Sequence, residues 1–325
     1  MLRTALTEQY SALAGALAQL AGKLGQAGLP DPRRESRVAQ LFAGLGLEAL
    51  ECSVTADLAG RLTASVTICR THFTREEVAG LTEEMSRLCR RDMDLPEITH
   101  CRTVTMLTFG ERPLFAAQFG AAAHAAAGQS VSGDAGGWFR DERGVLWVVL
   151  CDGMGSGPEA AKDSRFAYRL LEQLLSSGIG PETALGTLGG ALELRWECTG
   201  GFTTIDLLEL DLQSGEGAVY KLGAGPTYLR RDGVLSRIGS STLPAGLRPG
   251  GAPDVSRFRL RPGDLAVLVS DGVTDGSEDD WVRARIRAFA GDSPKELAGA
   301  LLTHEQNASD DRTAIVLLIG GKAQV

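Results

Sequence analysis

The chain has 325 residues and a formal net charge of −8 at pH 7, with 43% hydrophobic and 23% charged residues. This composition is typical of a globular protein with an apolar core, and the excess of acidic residues argues against a basic face that binds nucleic acid. Every apolar run is shorter than the roughly 18 residues that a membrane-spanning helix needs, so we expect no membrane segment.

Six cysteines and four histidines are scattered along the chain. No two cysteines are spaced as Cys-x-x-Cys, and their density is far below that of a disulfide-stapled domain. We therefore expect reduced thiols, a cytoplasmic location and no zinc site.

The first predicted element is an amphipathic helix over residues 1–27. Its large residues recur at spacings of three and four, at Leu6, Tyr10, Leu13, Leu17, Leu20 and Leu24. Such a heptad-like stripe indicates packing on a partner helix, as in a homodimer, or on the chain's own core. The same stretch also resembles the apolar region of a signal peptide, although it follows Glu8 and Gln9 and lacks a strongly basic start.

Residues 28–120 are predicted to form a small α+β domain. Strand-like runs surround one helix-like segment that begins after Thr74, where Glu77 completes a capping box. The stretch AAAHAAAGQSVSGD, which follows Gly120, is either a linker or an edge strand of small residues. We place the boundary with a second domain, over 121–325, at about residue 120.

In the second domain, short apolar runs alternate with turns. Helical patterns fall at 158–176, 181–195, 280–290 and 294–306. An Asp232-Gly233 turn between two strand-like runs indicates an antiparallel hairpin. Many antiparallel strands with few helices predict a layered α/β fold, and not a βαβ nucleotide-binding fold.

The stretch WVVLCDGMGSGPEAA contains an apolar run that ends in Asp152, followed by glycines at every second position. A P-loop needs a Lys-Ser/Thr pair after the last glycine, but Pro158 and Glu159 follow Gly157. A dinucleotide-binding fingerprint needs a glycine three residues after Gly155, and Pro158 stands there. Both motifs fail, so the loop is not predicted to cradle phosphate by itself.

Other acids also stand at strand ends. Asp271 follows the run LAVLVS, Asp310 and Asp311 precede TAIVLLIG, and Asp134 precedes a hairpin into the first run. If these strands are antiparallel neighbours, their ends meet at one sheet edge and gather Asp134, Asp152, Asp271 and either Asp310 or Asp311. Divalent cations relieve the repulsion in such a cluster, and all-oxygen ligands favour Mg²⁺ or Mn²⁺ over zinc. The competing interpretation is that each acid is a turn residue.

The motifs SGD, DGMGSG, SDG and DDRT occur in this order and resemble those of the metal-dependent protein phosphatases of the protein phosphatase 2C (PPM) type. The closer resemblance, over about 128–320, is to the stage II sporulation protein E branch, through KLGAGPTYLRR, STLPAGL and LRPGDLAVLVSDGV. It implies an αββα sandwich of two antiparallel sheets flanked by helices, preceded by an N-terminal helix and a small regulatory α+β domain.

The resemblance implies hydrolysis of phosphoserine or phosphothreonine by metal-activated water, with two Mn²⁺ or Mg²⁺ ions. Asp152 would bridge both ions and the main-chain carbonyl of Gly153 would bind one of them. Asp271 and Asp310 would bind the other ion, and Asp134 would act through metal-bound water. The glycines would then let the backbone turn so that Asp152 and the Gly153 carbonyl both face the metals.

The resemblance also implies a substrate, a small phosphorylated anti-sigma-factor antagonist, and hence a role in sporulation or sigma-factor regulation. The two helices after the loop, over 158–176 and 181–195, would act as a switch on the metals; the alternative is that they only cover the sheet. Asp311 stands where many relatives have Asn and is expected to be supportive.

This chain departs from the branch in lacking its multi-span membrane region, so it is either a soluble homologue or the cytoplasmic part of a membrane-anchored protein. Two other functions remain open at this point. One is a pseudophosphatase that binds a phosphoprotein as a scaffold without turnover, although the complete set of acids argues against it. The other is hydrolysis of a small phosphate ester.

Overall fold

The computed structural model describes residues 28–57, 60–141, 143–199, 202–247, 251–274, 279–303 and 309–321. The predicted helix over 1–27 lies outside them. The described residues divide into two compact units, one within Lys23–Pro113 and the other within Leu114–Val325. No helix in these ranges combines the length and apolar character needed to cross a bilayer.

The unit that ends at Pro113 is an antiparallel sheet with two helices. Its elements are β1 (Leu29–Pro30), α1 (Pro32–Gly44), β2 (Ala49–Ala56), β3 (Leu62–Ile68), α2 (Arg75–Cys89), β4 (Glu97–Cys101) and β5 (Val104–Gly110), with strand order β1-β2-β3-β5-β4. Every second residue of β3 is buried, in a core that includes Phe42 of α1 and Met85 of α2. The predicted capping box is present: the Thr74 hydroxyl accepts from the Glu77 amide, and the Glu77 carboxylate accepts from the Thr74 amide.

The second unit contains the remaining elements. They are β6 (Ala116–His124), β7 (Asp134–Arg140), β8 (Val145–Gly153), α3 (Pro158–Ser176), α4 (Pro181–Thr199), β9 (Thr203–Asp211), β10 (Glu216–Leu222), β11 (Thr227–Arg231), β12 (Val234–Ile238), β13 (Asp254–Arg259), β14 (Leu265–Val269), α5 (Asp271–Thr274), α6 (Asp280–Ala288), α7 (Pro294–Leu301) and β15 (Arg312–Gly320). They form two antiparallel five-stranded sheets, ordered β13-β10-β9-β8-β7 and β12-β11-β14-β15-β6.

The layering of this unit follows from strands that are apolar on both faces. Along β8, Leu146 and Val148 belong to the core between the two sheets, whereas Trp147 and Val149 pack with α3 and α4 on the outer side. Helices α6 and α7 cover the other sheet in the same way. A strand covered on both faces needs the near-continuous apolar run that the sequence shows. The predicted αββα sandwich is confirmed.

Near the predicted domain boundary, residues 116–124 form an edge strand, which takes in only the first four residues of the stretch AAAHAAAGQSVSGD. Strand β6 pairs with β15 along its whole length, from Ala116 opposite Gly320 to His124 opposite Arg312. A Cβ added to Gly120 would lie 2.2 Å from backbone atoms of Pro294 and Lys295, so α7 packs directly on β6. The two units divide between Pro113 and Leu114.

Candidate metal centre

The first two acids are brought together by strand register. Asp134 and Asp152 are directly opposite each other in the β7–β8 pair. Because side chains alternate along a strand, Asp152 lies on the same face as Leu150 and Val148, which is the face between the two sheets. Paired residues share a face, so Asp134 lies there as well, and it is buried.

The other sheet supplies the remaining acids. Asp271 opens α5, one residue after the end of β14, and Asp310 and Asp311 directly precede β15, the antiparallel neighbour of β14. A Cβ on Gly272 would lie 2.1 Å from the main-chain oxygen of Asp311, so these two segments are in direct backbone contact. The acids therefore gather at one end of the sandwich and come from two facing sheets, whereas the sequence interpretation placed them along one sheet edge.

Three of these carboxylates are coupled electrostatically. Burial, followed by the negative charges of Asp134 and Asp271, raises the pKa of Asp152 well above its usual range. Burial also raises the pKa of Asp134 to about 6, although the nearby Thr313 and Ser270 hydroxyls, which are not in hydrogen-bond geometry with it, partly lower that pKa. Ionising all of these carboxylates at the same time is therefore unfavourable.

The burial of an unpaired carboxylate indicates that this site suits a divalent cation. Both carboxylate oxygens of Asp134 are buried without a hydrogen-bond partner among the described residues. A buried, unpaired carboxylate is costly unless a cation or an ordered water meets it. Within the described ranges, no three acidic, His or Cys side chains are already arranged around a single point where one ion would sit. The negative charges of Asp134 and Asp271 instead each act on the carboxylate of Asp152.

Asp310 and Asp311 have different environments. Both oxygens of Asp311 accept main-chain amides, from Ala126 at 2.8 Å and from Gly133 at 2.7 Å, and the side chain is buried. Asp311 therefore anchors the segment that leads into Asp134. Asp310 is only partly buried, and its carboxylate accepts the Asp311 amide at 2.8 Å and lies within electrostatic reach of Asp271. Of the two, Asp310 has the freer carboxylate.

The glycine loop after β8 is shaped by close packing on α3. A Cβ on Gly153 would lie 2.3 Å from the main-chain oxygen of Ala160, in the first turn of α3. Gly155 and Gly157 have φ angles of +78° and +80°, which favour glycine. The loop thus presents the Asp152 side chain and the Gly153 backbone at the start of the helix.

Thr203 is a site residue that sequence reasoning missed. It is fully buried at the start of β9, and its hydroxyl donates to the main-chain oxygen of Asp152 at 2.8 Å. It thereby holds the peptide between Asp152 and Gly153. The available signal was a threonine at the start of a strand, which is too common to single out a site.

Comparisons with known proteins agree with this architecture. The family model described as "Stage II sporulation protein E (SpoIIE)" matches residues 142–319, which is more than half of the chain. Stage II sporulation protein E of Bacillus subtilis (strain 168) is 29% identical over 230 residues, which cover 68% of this chain. The chain spans only 28% of the length of that relative.

Two solved structures extend the comparison. The PP2C phosphatase domain of SpoIIE from Bacillus subtilis, with a fragment of its regulatory domain, superimposes with a TM-score of 0.64 at 25% identity and covers 90% of this chain and 88% of that one. RsbX in complex with magnesium superimposes with a TM-score of 0.51 at 16% identity, covering 69% of this chain and 100% of that one, which shows a shared fold.

Proposed function

The chain belongs to the stage II sporulation protein E family, whose phosphatase domain is of the PP2C type, and we propose that it is a metal-dependent protein serine/threonine phosphatase. One observation carries the proposal: the carboxylate of Asp134 is buried without a hydrogen-bond partner among the described residues and faces Asp152. The negative charge of Asp271 also acts on Asp152, and Asp271 itself is exposed to solvent. Such a site is accessible to a phosphorylated side chain and needs cations to balance its charge.

We propose that Asp152, the Gly153 carbonyl, Asp271 and Asp310 bind two Mn²⁺ or Mg²⁺ ions, with Asp134 acting through water. When bound, such ions neutralise phosphoryl oxygens and lower the pKa of a water molecule that attacks phosphorus. The protein contributes fixed positions: Thr203 holds the Asp152 peptide, and Asp311 holds the backbone before Asp134. Asp134 supplies a carboxylate with both oxygens available to orient water.

A cysteine nucleophile is disfavoured by the same geometry. Cys151 is adjacent to Asp152 but is fully buried, on the face of β8 that packs on the helices. Burial first, and then the charges of Asp134 and Asp152, raise its pKa far above neutral pH. The thiol therefore stays protonated and inaccessible, in contrast to a reactive thiolate.

We propose a small phosphorylated anti-sigma-factor antagonist as the substrate, and the cytoplasm as the location. Membership of the SpoIIE family supports the first. The second is supported by the free thiols of all five cysteines whose side chains the structure describes. A pseudophosphatase scaffold that binds the same phosphoprotein is the alternative, and turnover distinguishes the two.

The test is Mn²⁺-dependent release of phosphate from a phosphoserine protein of the antagonist type. We expect Asp152→Asn to lower the rate by at least about a hundredfold, which is more than the usual effect of changing a residue that only orients metal ligands. Asp232→Asn is the matched control, because Asp232 also precedes a glycine but lies in the exposed turn between β11 and β12.

Absence of phosphate release from the folded parent chain at any Mn²⁺ concentration would exclude the enzyme and favour the scaffold. Equal rates in the parent chain and Asp152→Asn would exclude this site. Release from a small phosphate ester with no preference for the phosphoprotein would point to the ester hydrolase.

A further inference from the structure

Lys221 and Asp206 form an ion pair that is buried in the phosphatase unit. They are opposite each other in the β9–β10 pair, with Lys221 Nζ 2.6 Å from Asp206 Oδ2, and their exposed fractions are 0% and 1%. Burying two charges is expensive, and an apolar pair of similar volume is often as stable. Stability alone therefore does not account for this buried pair.

The two charged groups make further hydrogen bonds that reach the other sheet. Lys221 Nζ also donates to the main-chain oxygen of Gly225 at 2.6 Å. The hydroxyl of Thr227, the first residue of β11, donates to Asp206 Oδ2. Because β9 and β10 belong to one sheet and β11 to the other, the pair joins the two sheets through the connection between β10 and β11.

This connection packs directly on the backbone of Asp271. A Cβ on Gly225 would lie 2.6 Å from the main-chain oxygen of Val269 and 3.2 Å from the Asp271 amide nitrogen. The Gly225 carbonyl that Lys221 holds thus belongs to a residue in contact with the segment that carries Asp271. A larger residue at this position would push the two segments apart.

The other end of the pair is tied to the strand of Asp152. Asp206 lies opposite Leu150 in the β8–β9 pair, two residues before Asp152 on the same face of β8. A chain of direct contacts therefore runs from β8 through Asp206, Lys221 and Gly225 to Asp271. This chain of contacts crosses from one sheet to the other next to Asp152 and Asp271.

We propose that Lys221 and Asp206 are a positioning pair, which sets the separation of Asp152 and Asp271 so that both can engage the same two cations. This inference rests on the proposed function for the identity of the cations. The pair touches neither substrate nor cation. It acts through the backbone contacts that it fixes in each sheet.

The experiment measures Mn²⁺ affinity by calorimetry on the metal-free chain, together with kcat and KM for phosphate release. Lys221→Met leaves the Asp206 charge buried and unpaired, so it risks misfolding. The Lys221→Met/Asp206→Leu double variant removes both charges and is expected to fold. We expect its Mn²⁺ affinity to fall about ten- to a hundredfold, as for residues that orient metal ligands, with kcat reduced more than KM is changed.

Tyr220→Phe is the matched control on the same strand. It removes the hydrogen bond from the Tyr220 hydroxyl to Glu209 at 2.9 Å, on the helix-covered face of the sheet. It is expected to lower the melting temperature without changing Mn²⁺ affinity. A merely structural role for Lys221 and Asp206 would give the same result in the double variant.

Unchanged Mn²⁺ affinity and unchanged kcat in a double variant that melts cooperatively would overturn the positioning role. A parent chain that binds no Mn²⁺ would overturn both the metal site and the positioning role. The catalytic part of the proposed function fails by itself if the parent chain binds Mn²⁺ without releasing phosphate. In that case the difference in affinity between the parent chain and the double variant still decides the role of the pair.

Discussion

Asp134 is buried in surroundings that disfavour its ionised form. Its two oxygens form no hydrogen bond with the described residues, and it faces Asp152 across the β7–β8 pair. Ionising both carboxylates in this space is unfavourable because each is desolvated and repelled by the other. Cations bound between them would remove that penalty, and a ligand that binds only the folded chain stabilises it.

The metal-free chain should therefore lose stability as the pH rises. The pKa of Asp134 is raised from 3.8 to about 6 in the folded chain. Between these values the folded state binds more protons than the unfolded state, so the free energy of unfolding falls with increasing pH. The raised pKa of Asp152 continues the decline above this window. The melting temperature, measured without metal between about pH 4 and pH 7, checks this prediction.

Two comparisons separate this effect from the titration of other groups. In Asp134→Asn the decline across this window should be shallower, and saturating Mn²⁺ should flatten it in the parent chain. The exposed Asp232→Asn variant should follow the parent chain. The same slope in Asp134→Asn as in the parent would mean that Asp134 does not carry the effect.

At the scale of elements, α3 and the loop after β8 are packed as one piece. The backbone of Gly153 lies against the carbonyl of Ala160, so a displacement of the first turn of α3 would displace the peptide that follows Asp152. Through this contact, a movement of α3 would reach the proposed metal ligands, as the predicted switch role requires. The apolar face of α3 also covers the sheet, as any helix in this layer must, and the switch stays a prediction.

Gly153→Ala should disrupt this contact. The added Cβ would lie 2.3 Å from a main-chain oxygen, which cannot move without moving α3. We expect a loss of stability of about 1–3 kcal/mol from overpacking, with weaker Mn²⁺ binding. Gly155→Ala is the control, because its Cβ meets nothing within 4 Å and only the φ of +78° is strained.

Calorimetric Mn²⁺ affinity and thermal melting of both glycine variants provide the measurement. Gly155→Ala should keep more of the affinity than Gly153→Ala, since it leaves α3 in place. Equal affinities in Gly153→Ala and the parent chain would show that the loop does not depend on its contact with α3.

At the scale of the whole molecule, the two units have separate hydrophobic cores. The core of the first contains Phe42, Met85 and Phe109, and that of the second lies between and outside the two facing sheets. The regulatory role of the first unit stays a prediction, supported by the match to a structure that includes a regulatory-domain fragment. The helix and homodimer predicted from residues 1–27 lie outside the described residues.

Truncation tests both the boundary and the regulatory role. A chain lacking residues 1–113 should fold, because β6 and its pairing with β15 remain complete. A chain lacking 1–120 removes half of β6 and exposes an edge of β15, so it should melt at a lower temperature. Equal melting temperatures would contradict the boundary at Leu114. If the first truncation changes neither phosphatase activity nor its Mn²⁺ dependence, the regulatory prediction fails.

The sequence alone determined the features that depend on local patterns. The helix over 158–176, the capping box at Thr74 and the apolar middle-layer strands all follow from periodicity or capping chemistry, and the structure confirms them. Asp134, Asp152 and Asp271 are predicted as site residues because each stands at or beside an end of a recognisable strand. The metal roles assigned to them stay predictions.

Only the tertiary structure decided which distant segments meet. Strand pairing makes residues 114–124 part of the second unit, and it draws the acids from two sheets. The packing also lets the Asp311 carboxylate accept hydrogen bonds from two main-chain amides, so that Asp310 has the freer carboxylate. The Lys221–Asp206 pair joins strands whose register no local pattern specifies. These features depend on contacts between residues far apart in the chain, whose geometry is set only when the two sheets pack together.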